Sequence, residues 1–577
     1  MFLFYVLESF LEPTDILKKE IQIMNSIKLN TIVVTAAILF IALTSVTSQT
    51  VTPWFTSGDK TRLLQQQPAV NFGANVDPAS VILTVDPTTT YQTMDGFGFT
   101  LTEGSAEVIS SLNYTQQTTL LDELFNKSTG LGVSVLRISI GSCDLSSSDY
   151  SYNETSGDVT MANFSMAGPD LNYLVPILKK ALAINPDIKI LATLWSPPRW
   201  MKSTGVWVGG SLKTNYYAAY AAYFVKYIDA MKAQGINIWA ITPQNEPENG
   251  TAEPSMLMTS TEEKNFINNN LGPALAGAGY SGVKIIAYDH NCSNTAYPID
   301  VLNNSAYVDG AAFHLYAGNI TALTTVATAT GKNVYFTEQY TASTGSFSGD
   351  LAWHMQNIII GAGNNLAKVI LEWNVANNAS FGPHTSGGCT TCQGAATITS
   401  TSTYTRNLSY YLIGHLSKFV HLGAVRIKST SSSSNVVATA YKNPDGSMAV
   451  LTYNSNSSNQ TVKILWNSLA MVCTVPASSA ATFVWNPTPN ALPEISGSQI
   501  NLSPNPGHST VSLKLSENNF TYKSVSFITP DGKTVLKQPV SNTGSETVFN
   551  ISGLANGIYL IRVDGLNEQL FGRFIKQ

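Results

Sequence analysis

The 577-residue chain has few charged residues, and no stretch of it is strongly basic. Only 12% of the residues are Asp, Glu, Lys or Arg, and the formal net charge of −5 is spread thinly along the chain. Binding to nucleic acid or to anionic membranes relies on clustered Lys and Arg side chains. The composition therefore argues against both as partners.

Cysteine is also scarce, with five residues in the whole chain. That number is too small for a disulfide-scaffolded fold, and because it is odd, at least one thiol lies outside any intramolecular pair. Cys389 and Cys392 have a spacing found in metal sites, but a structural zinc site needs about four ligands and no second pair has that spacing. A local disulfide, or two thiols in a Gly-rich loop, is predicted instead of a metal.

Long apolar runs are rare, and the most prominent one, 31–43, lies near the N-terminus. Lys28 precedes it and small polar residues follow up to Gln49, which is typical of a secretory signal. The run ends too early for a stable membrane span of about 20 residues. We predict a signal region at 1–49, with Met24 as an alternative start because 24–49 is a complete signal by itself.

Between residues 91 and 420, short apolar runs of β character alternate with longer segments of helical period. The helical segments are long enough to cross back over a parallel sheet. Eight apolar runs occur, at 93–101, 133–140, 188–195, 238–243, 283–288, 310–316, 333–338 and 368–373. The pattern predicts an α/β fold, a (β/α)8 TIM barrel.

The flanks of this region are predicted to be β structure. Residues 421–487 alternate in polarity between turns and predict a β-sandwich module, to which 50–90 contribute from the other end of the chain. A proline-rich linker follows at 488–497. We expect a separate small β-sandwich at 498–577, with strands at 510–515, 524–528, 547–551 and 558–563 and a hairpin turn at Asp531 and Gly532.

In a barrel of this kind the working residues lie at the C-terminal ends of the strands, where the loops converge on one face. The fourth predicted strand leads to Glu246 and the seventh ends in Glu338. Cleavage of a glycosidic bond needs two carboxyl groups on opposite sides of the anomeric carbon. Because strands four and seven lie across the barrel from each other, these residues are the predicted catalytic pair.

Several neighbours suit a sugar site. Asn245 is placed to hydrogen-bond a hydroxyl beside the anomeric carbon, and Tyr340 and Trp373 can offer apolar faces to a pyranose ring. Trp195 lies in a rigid proline-rich bend after strand three, where core packing is the alternative role. Asp144, after strand two, could bind two sugar hydroxyls.

Three further residues are expected near the nucleophile's strand. Arg137 in strand two could keep Glu338 ionised, or could form a purely structural ion pair. His314 and Tyr316 end strand six and could hydrogen-bond either the nucleophile or the sugar.

From about residue 90 to 487 the chain resembles glycoside hydrolase family 30, which contains glucosylceramidases and endo-β-1,6-glucanases. The motifs are DGFGFTLT at 95–102, LRISIGSCD at 136–144, LWSPPRWM at 194–201, NE at 245–246, TE at 337–338, EWN at 372–374 and GHLSKF at 414–419. The resemblance implies a barrel with an attached β-sandwich and hydrolysis with retention, without cofactor or metal. It also implies Glu246 as acid/base and Glu338 as nucleophile, for which we expect a raised pKa at Glu246 and a lower one at Glu338.

The same resemblance implies roles for the other site residues. Arg137 would support the nucleophile, and the substrate-binding residues would be Asp144, Trp195, Asn245, His314, Tyr316 and Trp373. YDHNC at 288–292 and GGCTTCQG at 387–394 look more like the bacterial β-1,6-glucanase branch than the animal lysosomal enzyme. The chain is thus expected to be a secreted retaining β-glycosidase acting on β-1,6-glucan. The alternatives are a glucosylceramidase or small β-glucosidase with the same mechanism, or a non-catalytic glycan-binding protein.

The last predicted domain resembles the C-terminal sorting domain of Bacteroidetes type IX secretion. The resemblance rests on LSPNP at 502–506, DGK at 531–533, LANGIYL at 554–560 and the terminal Lys576. It implies that this machinery exports the protein to the medium or to the cell surface of a Bacteroidetes-like bacterium. The domain would then be a sorting label that can be removed after export. A carbohydrate-binding β-sandwich is the competing interpretation.

Overall fold

The computed structural model describes residues 49–73, 78–166, 168–487, 500–515, 522–529, 533–539, 546–565 and 569–577. The predicted signal up to residue 48, the linker 488–497 and the turn at Asp531 and Gly532 lie outside these ranges. The chain forms two compact units, which divide after Pro487. In the part of the chain that the structure describes, no helix is both long and apolar enough to cross a membrane.

Eight parallel strands close into a barrel, and the predicted fold class is confirmed. Each strand pairs with the next along the chain, and the eighth pairs with the first. In chain order, barrel strands one to eight are Gly96–Thr100, Val135–Ile140, Lys189–Leu194, Ile238–Thr242, Lys284–Cys292, Val308–Gly318, Asn333–Glu338 and Ala367–Asn374. Every predicted run overlaps one of them.

The interior of the barrel is layered because side chains alternate along each strand. One apolar layer fills the lower part, with Val135, Leu191, Ala240, Ile286, Ala312, Tyr335, Val369 and Leu371. Two residues further along several strands, at the same inward-facing positions, the side chains are polar, namely Arg137, Thr193, Thr242, His314 and Thr337. The apolar layer is thus followed directly by a buried polar layer at the C-terminal face of the barrel.

Helices cover the outside of the barrel, and outward-facing strand residues such as Leu136 and Phe336 pack in the same apolar core as the helices. The α-helices are Glu103–Ser110, Tyr114–Phe125, Val175–Ile184, Tyr217–Ala233, Ser260–Phe266, Gly272–Gly277, Ala296–Asn303, Ala322–Thr330, Phe347–His354, Gly361–Asn364 and Leu408–Ser417. A short π-helical turn at Asp170–Leu174 precedes the third of these helices, and similar turns at Ile267–Leu271 and Met355–Ile359 each join two consecutive helices. Helix Ser260–Phe266 begins with a capping box between Thr259 and Glu262, which satisfies exposed backbone N–H groups.

A ten-stranded sheet is built from both ends of the first unit. Strand Thr50–Ser57 pairs with Ser479–Trp485, and Val81–Thr93 lies between Val425–Ser431 and Gln460–Trp466. The remaining strands are Gln65–Gln66, Val70–Asn71, Val436–Lys442, Met448–Asn454 and Leu469–Val475. The segment before the barrel therefore supplies strands to the module after it.

The second unit contains two small sheets. One has strands Ile500–Ser503, Thr510–Leu515 and Thr547–Asn550, and the other has Thr534–Pro539, Tyr522–Ile528, Gly557–Gly565 and Gln569–Lys576. Alternate residues such as Val511 and Leu513, or Val525 and Phe527, are buried in one apolar core. This period of two is the pattern of two sheets packed face to face.

Candidate active site

The two predicted catalytic carboxylates meet at the C-terminal face of the barrel. Glu338 is the last residue of strand seven, and Glu246 lies in the loop after strand four. Carboxylate oxygens of the two residues lie within 4.8 Å of each other. Closure of the barrel has thus brought together two groups that are 92 positions apart in the sequence.

The backbone at Glu246 is left-handed, with φ of 46°, which is unusual for a residue with a side chain. Two hydrogen bonds hold it: the Glu246 N–H donates to the carbonyl of Asp289 at 3.0 Å, and the Asn245 N–H donates to the carbonyl of Leu194 at 2.7 Å. Strain of this kind persists only where the surroundings fix it, and it collects at functional sites.

Both oxygens of Glu338 are held by donors. The Arg137 guanidinium donates to Oε2 at 2.5 Å, and the Tyr316 hydroxyl donates to Oε1 at 3.0 Å. Arg137 is fully buried, so its charge acts across a medium with little water. These contacts fix the direction in which the carboxylate faces the pocket.

Asp289, at the end of strand five, is the second partner of Arg137, at 2.9 Å. Thr337 donates to it at 2.6 Å and Thr242 at 2.8 Å. Burial raises the pKa of Asp289, but the charge of Arg137 and the hydrogen bonds lower it further, so the pKa lies well below its usual range. The charge of the buried Arg137 is compensated by the two carboxylates, whereas a buried guanidinium without such partners would destabilise the fold.

His314 is also fully buried, and both of its ring nitrogens face carboxylates. Nδ1 lies 3.1 Å from Glu246 and 3.6 Å from Glu338, and Nε2 lies 3.1 Å from Asp289. His314 is not among the residues that line the pocket described below. Of its two predicted partners, the nucleophile Glu338 lies near Nδ1, and contact with a sugar stays a prediction. Burial lowers the pKa of His314, but Glu338, Asp289 and Glu246 together raise it to about 10.

The pKa of Glu246 departs from the expectation of a raised value. Burial raises this pKa, but the imidazoles of His290, 3.8 Å away, and His314, 3.1 Å away, outweigh burial and hold it well below its usual range. Asn249 donates to the other oxygen of Glu246 at 2.8 Å. Because the pKa of His314 is raised and that of Glu246 is lowered, the proton shared by these two residues lies on the His314 ring in the free protein. Nδ1 of that ring is one hydrogen bond away from Glu246.

A cavity of about 440 Å³ opens directly above the two carboxylates. Its lining includes the predicted substrate-binding residues Asp144, Trp195, Asn245, Tyr316 and Trp373. The rings of Trp195 and Trp373 are 5.7 Å apart, and the Arg137 guanidinium carbon lies 4.7 Å and 5.5 Å from them. The pocket thus offers aromatic faces and convergent polar groups, as sugar sites require.

Burial and the nearby charges of Glu338 and Glu246 raise the pKa of Asp144 to about 7. Asp144 can therefore either donate or accept a hydrogen bond near neutral pH, which suits a ligand whose hydroxyls do both.

The Gly-rich loop at 387–394 forms another wall of the pocket, and its two cysteines form a disulfide. The loop is attached on two sides: the Thr385 N–H donates to the Asp144 carbonyl at 2.9 Å, and strand Cys392–Gln393 pairs with Thr341–Ala342. Of the two predicted alternatives, a local disulfide and two free thiols, the structure has the disulfide. Cys143, Cys292 and Cys473 are free.

Sequence reasoning missed Asp289, His290 and Asn249. Asp289 follows an apolar strand in the same way as Glu246, so the rule that selected Glu246 would also have selected Asp289. His290 lies in the polar end of strand five and Asn249 in the loop three residues after Glu246, and no local pattern marks either side chain as a partner of Glu246.

Glu246, His314 and Glu338 are close enough to share an ion, and the structure describes no other group of this kind among its placed residues. Each of the three side chains already has a polar partner in the site: His314 faces Asp289 at 3.1 Å, Arg137 donates to Glu338, and Asn249 donates to Glu246.

A closed parallel barrel with two facing carboxylates beneath an aromatic pocket defines a glycoside hydrolase. The chain belongs to glycosyl hydrolase family 30. The model of the family's TIM-barrel domain matches residues 94–420, and that of its β-sandwich domain matches 423–483. A secretion system C-terminal sorting domain matches 501–577. The resemblances found in the sequence are thus confirmed.

Among curated relatives, endo-1,6-β-D-glucanase neg1 of Aspergillus fumigatus is 34% identical over 418 residues, which are 67% of this chain and 84% of that protein. Lysosomal acid glucosylceramidase of Mus musculus is 29% identical and is aligned over 71% of this chain and 85% of its own length. The solved structure of the endo-β1,6-glucanase BT3312 is 36% identical, with a TM-score of 0.72, and covers 76% of this chain and 99% of its own.

Proposed function

We propose that this protein is a retaining glycosidase that cleaves β-1,6-glucan, with Glu338 as nucleophile and Glu246 as acid/base. The observation that carries retention is the short separation of the two carboxylates, since an oxygen of one lies within 4.8 Å of an oxygen of the other. Carboxyl groups about 5–5.5 Å apart leave no room for a water between them and the sugar, whereas inverting pairs are about 6.5–9.5 Å apart.

In the first step, an oxygen of Glu338 forms a bond with the anomeric carbon while the bond to the leaving oxygen breaks. Glu246 gives its proton to that oxygen. In the second step, Glu246 takes a proton from water, the water oxygen bonds to the anomeric carbon, and Glu338 is released.

The proton for the first step comes from His314 in this proposal. A sugar in the pocket displaces water from Glu246, which favours the neutral carboxyl over the carboxylate. The proton then moves from Nδ1 to the Glu246 oxygen 3.1 Å away. The low pKa of Glu246 in the free protein is therefore compatible with its role as the acid.

The remaining residues bind the sugar or orient the catalytic carboxylates. Arg137 and Tyr316 aim Glu338, and Asn245 is held by the guanidinium at 2.7 Å, with its amide nitrogen left for a sugar hydroxyl. Asp144, Trp195 and Trp373 would contact the sugar in the pocket. Two of the three relatives described above are endo-1,6-β-glucanases, which supports β-1,6-glucan as the substrate.

The deciding experiment is product analysis after incubation with pustulan, a linear β-1,6-glucan, beside laminarin and glucosylceramide. Gentio-oligosaccharides from pustulan, with the β-anomer appearing first by NMR, are the expected result. Glucose from glucosylceramide with pustulan untouched would overturn the substrate and favour the glucosylceramidase alternative. An α-anomer as first product would overturn retention.

The sorting domain supports secretion with attachment to the cell surface. We propose, more narrowly, export by the type IX machinery of a Bacteroidetes-like bacterium. The proposed domain limits are 1–49 for the signal, 50–90 with 421–487 for the sandwich, 91–420 for the barrel, 488–497 for the linker and 498–577 for the sorting domain. Fractionation of such a host should find the full chain outside the cell and a chain ending at Pro487 in the periplasm.

A further inference from the structure

Lys202, in the loop after strand three, is a lysine with no exposed surface. Its Nζ donates three hydrogen bonds, to Ser196 Oγ at 3.0 Å, to the Trp207 carbonyl at 2.6 Å and to the Ser255 carbonyl at 2.6 Å. We propose that Lys202 is a positioning residue, which holds the segment after strand four in place as a wall of the pocket. The inference rests on the proposed function, because that segment shapes the site where the glucan would bind. We define this wall segment as residues 247–258.

The three partners of Lys202 all act as acceptors. Two of them are backbone carbonyls, and the Ser196 hydroxyl donates its own hydrogen to the Pro197 carbonyl at 3.1 Å. An ammonium group has three N–H donors, so one lysine satisfies all three acceptors. Hydrogen bonds from a charged donor are stronger than those from a neutral one. Lys202 is therefore a firm link between the loops after strands three and four.

Further hydrogen bonds strengthen this link around Ser255. The Ser255 N–H donates to the Trp207 carbonyl at 3.1 Å, and the Gly209 N–H donates to Ser255 Oγ at 3.0 Å. The Trp207 carbonyl thus accepts from both Lys202 and Ser255. Without Lys202, this buried carbonyl would keep one of its two donors and the Ser255 carbonyl would lose its ammonium partner.

The wall segment reaches the pocket directly. Asn249 and Ala252 line the pocket, and Asn249 also donates to Glu246 at 2.8 Å. Ala252 is three residues before Ser255, so the point that Lys202 fixes lies close along the chain to the pocket wall. The backbone on the other side of Ala252 is fixed by the Asn249 N–H, which donates to the Glu246 carbonyl at 2.8 Å.

The wall segment also supports the Gly-rich loop that forms another part of the pocket. The Thr385 hydroxyl, just before that loop, donates to the Glu253 carbonyl at 2.6 Å. The two parts approach each other closely, since a Cβ added to Gly387 would lie 3.0 Å from the Glu253 Cβ. A shift of Ser255 would therefore be passed on, through Glu253, to the Gly-rich loop.

The two catalytic carboxylates are held by other contacts. Arg137 and Tyr316 hold Glu338, and the Asp289 carbonyl accepts the Glu246 N–H. Loss of Lys202 should therefore disturb the shape of the pocket more than the reacting groups. This distinction predicts a change in KM with little change in kcat.

The first test variant is Lys202→Met, which keeps a long side chain but removes the three donors. The full-length chains are compared at pH 6, because burial lowers the pKa of Lys202 to about 7 against the opposing charges of Asp149 and Glu154. Hydrogen exchange of the wall segment, measured by mass spectrometry, should become about tenfold faster, whereas strand seven should exchange at the wild-type rate. KM for pustulan should rise about fivefold or more, and kcat should stay within about twofold.

Lys213→Met is the matched control. Lys213 lies in the same loop but is exposed, and it donates one hydrogen bond of 3.4 Å to the Trp200 carbonyl. This variant should change neither the exchange of the wall segment nor KM.

Ser196→Ala is a second variant, which removes one acceptor of Lys202 and keeps the other two. It should change the exchange of the wall segment in the same direction and by less, and it decides the question if Lys202→Met does not fold. Wild-type exchange and KM in these variants would overturn the inference. Faster exchange in strand seven as well, with a fall in kcat, would also overturn it, because Lys202 would then be a general stability residue. Pustulan left uncleaved by the wild type would instead overturn the proposed function, while hydrogen exchange would still test whether Lys202 holds the segment.

Discussion

At the scale of single residues, the site is a set of charges that compensate one another under the pocket. Arg137 faces Glu338 and Asp289, and His314 faces these two and Glu246. Each buried charge is stabilised only because its partners are present. Substitutions here are therefore expected to affect chemistry and stability to different extents, depending on what is left unpaired.

Glu338→Gln should abolish turnover and retain sugar binding. The amide keeps nearly the same shape but cannot attack the anomeric carbon, so kcat should fall by roughly 10³-fold or more. Steady-state kinetics and calorimetric binding of gentio-oligosaccharides measure the two effects separately. If the protein were a non-catalytic glycan-binding module, its function would be unchanged.

Arg137→Lys should destabilise the fold, because one ammonium group cannot replace the contacts of the guanidinium with Glu338, Asp289 and Asn245. Breaking a buried pair costs about 3–5 kcal/mol when a partner is left without compensation. Urea unfolding measures the change. The control is Lys127→Ala, whose ion pair with Asp187 is half exposed and should contribute at most about 1 kcal/mol. Equal effects of the two substitutions would contradict this account.

The raised pKa of His314 predicts that the free energy of unfolding depends on pH. Its pKa is raised from 6.5 to about 10 by the surrounding carboxylates. The folded state holds the proton more tightly than the unfolded state, so the stabilisation is complete below about pH 6.5 and is lost as the pH rises towards 10.

Between these limits the contribution of His314 to the free energy of unfolding should fall steadily as the pH rises. Urea unfolding across this range, compared with His314→Gln, isolates the contribution. A variant with the same slope as the wild type would show that another group is responsible.

At the scale of elements, the end of strand five carries much of the site's geometry. Tyr288 and Asp289 both have left-handed backbones, with φ of 74° and 48°. The fully buried Glu263, on helix Ser260–Phe266, accepts the Tyr288 N–H at 3.2 Å. Since the Asp289 carbonyl in turn accepts the Glu246 N–H, one carboxylate on a helix supports the backbone of both residues.

Glu263→Ala should lower kcat with little change in KM, because it leaves the buried Tyr288 N–H without an acceptor and loosens the turn beneath Glu246. The unpaired group should cost about 1–3 kcal/mol. Glu263→Gln is the matched control, since its amide oxygen can accept the same hydrogen bond and should preserve kcat. Loss of kcat in both variants alike would contradict a role that depends on the acceptor.

Element bounds were predictable where polarity alternates cleanly and less so elsewhere. Strand seven has the predicted bounds, whereas strand five runs on to Cys292, beyond the predicted 288. The residues beyond the predicted end, 289–292, are mostly polar, so no apolar run marks them. Residues 351–361 are amphipathic with a helical period and predict one helix, whereas the structure has two α-helical segments, Phe347–His354 and Gly361–Asn364, joined by a π-helical turn. Local period alone does not distinguish the two hydrogen-bond patterns.

At the scale of the whole molecule, the N-terminal strands and the last strands of the first unit form one sheet, whereas the second unit has its own core. A chain ending at Pro487 should therefore keep its melting temperature and its kcat.

A chain that lacks residues up to Thr93 should be insoluble, since it exposes the edges of Val425–Ser431, Gln460–Trp466 and Ser479–Trp485. Calorimetry and activity of the soluble fraction test both, and a soluble, active N-terminal truncation would contradict the second expectation.

The sequence by itself determined the barrel, the position of the two carboxylates at strand ends and the family, because these depend on local periodicity and on short motifs. Tertiary structure decided the rest. Only closure of the barrel brings Arg137, Asp289 and His314 from strands two, five and six into one charge network, and only the folded chain places the imidazoles of His290 and His314 where they lower the pKa of Glu246. Electrostatic energy depends on distance and burial, and neither quantity exists along an unfolded chain.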